Sequence, residues 1–388
     1  MVRGSNLHAD GLTATALDAV EPIWGEIAQQ LSVLTHENPH FQYLQAVGSG
    51  SLTSTITKNL ANIQELFVDG RVELSSGEKR SATLRFQLET MPPVGKRFNE
   101  DAFFFEKTAD NTTLVIGVID GATSQLPIAG LLPATGAFHV SHLASIAFTQ
   151  TAEWKKLAQT HSLDALQVMT ALNTWLNKQL AGIAGVTYDN VLTIPGAAAS
   201  LVTISPSTQT GTFAHVADTL VALESLDNTI TILTDNKNET FDHQTGELVA
   251  AIAREKNCSY LEAARDVRVK AQLRASFTQK INTPTGCGIL NGMPELFNND
   301  LVQHSTFSTK GVKRIIVMSD GAYAPWQQVV SPDLQLPPEF ILAVEQARAG
   351  GHTPLSITSR LLQTDPDAIK YHRLKPQDDA TFVVIDLV

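Results

Sequence analysis

The chain has 388 residues, with 28 Lys and Arg against 39 Asp and Glu and a formal net charge of -11. That length allows more than one domain, and 43% hydrophobic with only 17% charged residues supplies a large buried core and excludes a chain disordered throughout. The acidic balance excludes a general nucleic-acid binder, which needs a basic face, but not a phosphate-bearing substrate, because bound cations invert the local field.

In chain order, Leu17, Val20, Ile23, Ile27, Leu31 and Leu34 recur at helical spacing and predict an amphipathic helix over residues 12–35. Residues 48–51 read as a linker, and a second helix is expected over 53–66. Residues 1–66 form an N-terminal extension that packs against the rest or regulates it. From residue 67 the period changes to that of strands, at 67–74 and 82–89 around a turn at 75–77, then at 103–105 and 114–119. Helices follow at 129–148 and 162–181, strands at 199–204, 211–223 and 229–233, and a charged helical stretch at 245–280. The remaining elements are a strand at 314–318, helices at 338–349 and 354–363, and a last strand at 381–387. The run from Gly121 to Ala152 lacks Asp, Glu, Lys and Arg, but it carries His139, His142 and prolines, which favours a buried helix over a membrane span. Two blocks of strands interrupted by paired helices predict an α+β fold, a sandwich of two antiparallel sheets flanked by helix pairs.

The chemistry gathers where carboxylates meet strand ends. The apolar run 114–119 leads into Asp120-Gly121, and the run 314–318 leads through Ser319 into Asp320-Gly321. Asn99-Glu100-Asp101 immediately precedes Ala102-Phe103-Phe104-Phe105, and Asp378-Asp379 immediately precedes Ala380-Thr381. Taken singly, an Asp-Gly after a strand is most often a turn. Taken together, acids brought into one cleft repel one another and lose hydration, so they require cations between them. Carboxylates without His or Cys partners suit hard ions, Mg²⁺ or Mn²⁺.

That ordered set resembles the metal-dependent protein phosphatases of the 2C type (PPM). Weaker matches fall between the acidic motifs, at Ala198-Ala199-Ser200, Ala217-Asp218-Thr219 and Gly288-Ile289-Leu290-Asn291-Gly292, and the likeness spans residues 80–388. The resemblance implies a two-metal site at one edge of the sandwich. Asp120 would bridge both ions and the Gly121 carbonyl would bind one. Asp320 and Asp378 would hold one ion, Glu100 and Asp101 the other, and Asp218 matches the position of a third, weaker ion. Arg97, or Lys96 in a register shifted by one, would bind the substrate phosphate, and a guanidinium fork favours Arg97. The implied reaction is hydrolysis of a phosphate monoester by water acidified between the two ions. Residues 67–388 would be the catalytic domain, with residues 236–300 as a helical flap beside the site. Where many family members carry a His after Asp-Gly, this chain has Ala122 and then Thr123.

The expected substrate is a phosphorylated Ser or Thr in a protein. A catalytically silent phosphatase-like module and a phosphatase of small phosphorylated metabolites are the alternatives. The charges of the flap, such as Arg254, Glu255 and Lys256, read as a solvated helix face. His139, His142 and His215 read as structural, and Cys258 and Cys287 as unactivated thiols. The two cysteines fit a reducing cytoplasm, and residues 1–11 lack the apolar core of a secretory signal.

Overall fold

The computed structural model describes residues 53–58, 66–75, 81–91, 99–122, 126, 128, 135–150, 152–159, 163–323, 354–368 and 373–387. The helices expected at 12–35 and 338–349, and Lys96, Arg97 and Thr123, lie outside these residues. Among the described residues, no helix is long and apolar enough to cross a membrane.

The strands are β1 (Thr53–Lys58), β2 (Leu66–Ser75), β3 (Ser81–Met91), β4 (Asp101–Lys107), β5 (Leu114–Ala122), β6 (Gly196–Ser205), β7 (Thr210–Val216), β8 (Leu220–Ser225), β9 (Ile230–Ile232), β10 (Gln303–Ser308), β11 (Val312–Met318) and β12 (Ala380–Asp386). They form a seven-stranded sheet in the order β1-β2-β3-β12-β11-β8-β9 and a five-stranded sheet in the order β10-β7-β6-β5-β4. Every pairing is antiparallel. The α+β sandwich expected from the sequence is the observed architecture.

Strand alternation explains the apolar runs. On β5, Leu114, Ile116 and Val118 enter the core between the sheets, while Val115 and Ile119 point to the helices on the outer face. On β11 and β12, Ile315, Val317, Val383 and Ile385 face inward, whereas Ile316, Met318, Phe382 and Val384 face out. Strands buried on both faces read as continuous apolar stretches rather than as alternation. Each such side chain contributes about 1.5–3 kcal/mol of burial.

The five-stranded sheet is covered by α1 (Gly136–Gln150), α2 (Ala152–Leu157) and α3 (Ala165–Leu180). Asp164 caps α3 in a capping box with Gln167, and Val168, Met169, Leu172, Leu176 and Leu180 line its buried face. Three further helices, α4 (Glu239–Lys256), α5 (Tyr260–Ala263) and α6 (Val267–Lys280), lie within residues 236–300 and pack around Val249, Ile252, Ala263 and Val269. The short α7 (Glu295–Asn298) and α8 (Asp320–Tyr323) and the longer α9 (Pro354–Gln363) complete the described helices.

Two expectations are corrected. Residues 53–58, read as part of a helix, form β1 and pair with β2. Thr53, Thr55, Ile56 and Thr57 are β-branched, and their restricted side-chain rotamers favour a strand. The single strand expected over 211–223 is two strands in different sheets, separated at Ala217-Asp218-Thr219. The break is made by Ala217 with φ 69°, a left-handed conformation without the glycine that normally announces one. The edge strand β10, exposed and polar, was not anticipated.

Candidate metal centre

The acids come from both sheets. Asp120, near the end of β5, sits directly opposite Asp101, the first residue of β4, in the five-stranded sheet. Asp320 follows β11 and opens α8, and Asp378 and Asp379 precede β12 in the other sheet. Asp218 lies on the crossover between β7 and β8, where the chain passes from one sheet to the other.

Each lies close enough to others of the set to feel their charge. Burial, then the charges of Asp320, Asp101, Asp218 and Asp379, push the Asp120 carboxyl well above the usual carboxylate range. Burial, with Asp320 and Asp378 nearby, raises Asp101 from 3.8 to about 8 even though Ser319 and Thr381 hydrogen-bond to it. The same cause, followed by Asp378 and Asp218, raises Asp320 to about 7. Asp379 rises to about 10 through burial and then Asp101. Asp218 moves upward too, chiefly by burial. Asp101, Asp120, Asp218, Asp320 and Asp378, the acids singled out in the sequence, thus lie close enough to perturb one another. Glu100 is buried beside it, and its backbone carbonyl accepts from the Gly121 N–H at 3.1 Å.

Polar residues outside the expected set hold the cluster in place. The Ser319 hydroxyl donates to Asp101 Oδ2 at 2.6 Å and accepts from the Thr381 N–H at 2.8 Å, joining the two sheets. Asn99 Oδ1 accepts from the Asp101 N–H at 3.0 Å, and its amide donates to Thr90 Oγ1 at 2.8 Å. Asn238, just before α4, donates to Asp218 Oδ2 at 2.8 Å, and the buried Tyr323 hydroxyl donates to the Asp218 carbonyl. His215, also buried, shares hydrogen bonds with Ser200 at 3.0 Å and Thr219 at 3.3 Å, and donates toward the Ala217 and Asp235 carbonyls. It therefore fastens the crossover that carries Asp218. Lys375 Nζ lies 2.6 Å from Asp378 Oδ1. Asn99, Ser319, Thr381, Ser200, Ala217 and Thr219 stand inside the motifs read from the sequence, whereas Asn238, Tyr323, His215 and Lys375 carried no motif signal.

Both motif glycines are required by space. A Cβ on Gly121 would lie 2.5 Å from the Ala137 carbonyl oxygen and 2.6 Å from that of Glu100. On Gly321 it would fall onto the Asp379 carbonyl.

Among the described residues, no group of three or more His, Cys, Asp or Glu side chains is arranged as a ready cage for an ion. The donor chemistry nevertheless suits a hard cation. Asp101 Oδ1 and Asp379 Oδ2 are buried without a hydrogen-bond partner, an arrangement that costs about 1–3 kcal/mol or more per group unless something positive satisfies it. Carboxylates and a close backbone carbonyl are oxygen donors of the kind Mg²⁺ and Mn²⁺ take.

The family model described as protein phosphatase 2C matches residues 94–349. A search of curated proteins gives no match. Among solved structures, the serine/threonine phosphatase PstP/Ppp of Mycobacterium tuberculosis is 15% identical with a TM-score of 0.43, over 78% of this chain and 98% of that one. Serine/threonine phosphatase Stp1 from Staphylococcus aureus is 13% identical with a TM-score of 0.43, over 81% and 97%. RsbX in complex with magnesium is 14% identical with a TM-score of 0.38, over 81% and 98%.

Proposed function

Because the chain belongs to the protein phosphatase 2C family, we propose that it is a Mg²⁺- or Mn²⁺-dependent phosphatase acting on phosphoserine or phosphothreonine in proteins. The observation that carries the reading is the convergence of Asp101, Asp120, Asp218, Asp320 and Asp379 at one sandwich edge, with carboxylate oxygens buried and unpartnered.

Asp120, Asp320 and Asp378 would hold one ion, and Asp120 with Glu100, Asp101 and the Gly121 carbonyl the other, with Asp218 toward a third. Bound ions supply acidified water near neutral pH and neutralise the developing phosphate charge. The chain's own part is to keep the acids in register. Ser319 fixes Asp101 across the two sheets, and Asn238, Tyr323 and His215 fix Asp218. Arg97, or Lys96, would orient the phosphate. The leaving alkoxide needs a proton. Ala122 has none to give, and burial pushes both His142 and His215 down to about 4, so each is neutral at pH 7 and supplies none. The catalytic unit would be residues 67–388 with the flap at 236–300, and residues 1–66 would extend it.

Purified protein should hydrolyse a phosphopeptide and a generic aryl phosphate only with added Mn²⁺ or Mg²⁺. Full activity in chelator, or an Asp320→Asn variant as active as the parent, contradicts the proposal. Ala122 favours a second reading, a silent binding module, which calorimetry finding no divalent-cation binding would support. Faster turnover of sugar phosphates than of phosphopeptides would point instead to small metabolites.

A further inference from the structure

Lys375 is a cation built into the acidic edge. Its ammonium lies 2.6 Å from Asp378 Oδ1, while its side chain is 46% exposed. The loop that carries it is pinned. Arg373 Nε donates to the Pro376 carbonyl at 2.8 Å, and Arg373 Nη1 lies 3.2 Å from Oδ2 of Asp365, which follows α9. The four-carbon stem is flexible but its root is not, so the amine stays within reach of the acids and can also swing away.

The geometry points to Lys375 as a tethered counter-ion that occupies Asp378 in the metal-free protein and competes there with the divalent cation. That role presupposes Asp378 as an ion ligand. Without metal, the ammonium offsets part of the repulsion among Asp218, Asp320, Asp378 and Asp379, each close enough to feel it. An arriving ion must detach the amine from Asp378 Oδ1, so the pair lowers ion affinity. The fold is spared an uncompensated cluster, and the ion must reach a higher concentration to load the site.

Calorimetric titration of the full chain with Mn²⁺, without substrate, tests this, alongside thermal melts in chelator and in saturating Mn²⁺. Lys375→Met should bind Mn²⁺ roughly two- to fivefold more tightly, the size expected for losing a half-exposed ion pair. The same variant should melt below the parent in chelator, and the difference should close or reverse in Mn²⁺. Lys375→Arg, which keeps the charge, should stay near the parent in both. A purely structural lysine would lower the melting temperature equally in both conditions, and that result overturns the proposal. So does Lys375→Met binding Mn²⁺ no tighter than the parent while Asp378→Asn weakens binding, in which case Asp378 remains a ligand and only the lysine's role falls. If Asp378→Asn leaves Mn²⁺ binding unchanged, the ligand assignment itself is wrong and the role of Lys375 goes with it.

Discussion

Replacing Ser319 with alanine removes one oxygen from a place with no access to water. Ser319 is fully buried, and its hydroxyl serves two partners at once, donating to Asp101 Oδ2 at 2.6 Å and accepting from the Thr381 N–H at 2.8 Å. Asp101 Oδ1 already has no hydrogen-bond partner, and the variant takes away one of the carboxyl's two side-chain donors, leaving Thr381. A hydrogen bond to a charged group is worth about 1.5–3 kcal/mol, and a buried donor left unsatisfied costs about 1–3 kcal/mol. The two losses share one atom and overlap, so we expect the metal-free protein to lose about 2–4 kcal/mol in urea denaturation at about pH 9, where Asp101, raised to about 8, is ionised. Residues that orient metal ligands typically change ion affinity by about 10–100-fold when removed. Calorimetry with Mn²⁺ should therefore show weaker binding by that factor in Ser319→Ala, with kcat/KM falling at limiting Mn²⁺. Ser305→Ala on the exposed edge strand β10 is the control and should change neither. A stability loss under about 0.5 kcal/mol, within the range of an ordinary surface substitution, together with unchanged Mn²⁺ affinity, would refute the bridge between the sheets.

Gly321→Ala should cost at least about 1–3 kcal/mol, because the new methyl meets the Asp379 backbone and not a flexible side chain; an unchanged urea midpoint would contradict the close approach. His215→Ala should cost about 2–4 kcal/mol through lost hydrogen bonds and an emptied site, and a loss under about 0.5 kcal/mol by the same measurement would show that the crossover holds without it. The metal-free melting temperature should fall from pH 6.5 to pH 9. In the folded state Asp101, Asp320 and Asp379 have pKa values raised to about 8, 7 and 10 from 3.8, so the folded state binds more protons than the unfolded one. Stability then drops as pH climbs through those values. His142 and His215, depressed to about 4 from 6.5, are uncharged in both states over most of that window and do not oppose the trend. Saturating Mn²⁺ should flatten or invert it, and a metal-free melting temperature that rises with pH would defeat the assignment.

What the sequence revealed, and what it hid, follows from how each residue is constrained. β5 and β11 were legible because burial on both faces leaves unbroken apolar runs, and Asp120 and Asp320 stood out as the first acids after them. Asp218 was placed by likeness, but its true setting was hidden. The apolar content of Val216 and Leu220 carries across the break, and the left-handed residue there is Ala217 instead of a glycine. β10 was invisible because an edge strand needs no apolar alternation. Lys375, Asn238 and Tyr323 act through contacts made only in three dimensions. Lys375 and Asn238 lie in or beside loops where polar residues are expected, and Tyr323 stands in no motif of the sequence.

The crossover at residue 218 makes the sandwich a caliper. Asp101 and Asp120 are mounted on one jaw, Asp320, Asp378 and Asp379 on the other, and Asp218 sits on one of the connections that join them. The gap between the acids is therefore set by the thickness of the core, through side chains such as Ile116, Val202, Val317 and Val383 that never touch the site. Packed sheets stand about 10 Å apart and resist compression, so one methylene added or removed in that layer is transmitted to the rim. If the acids hold cations as proposed, substitutions deep in the core would change the spacing of the ligands and with it the preference between a smaller and a larger ion.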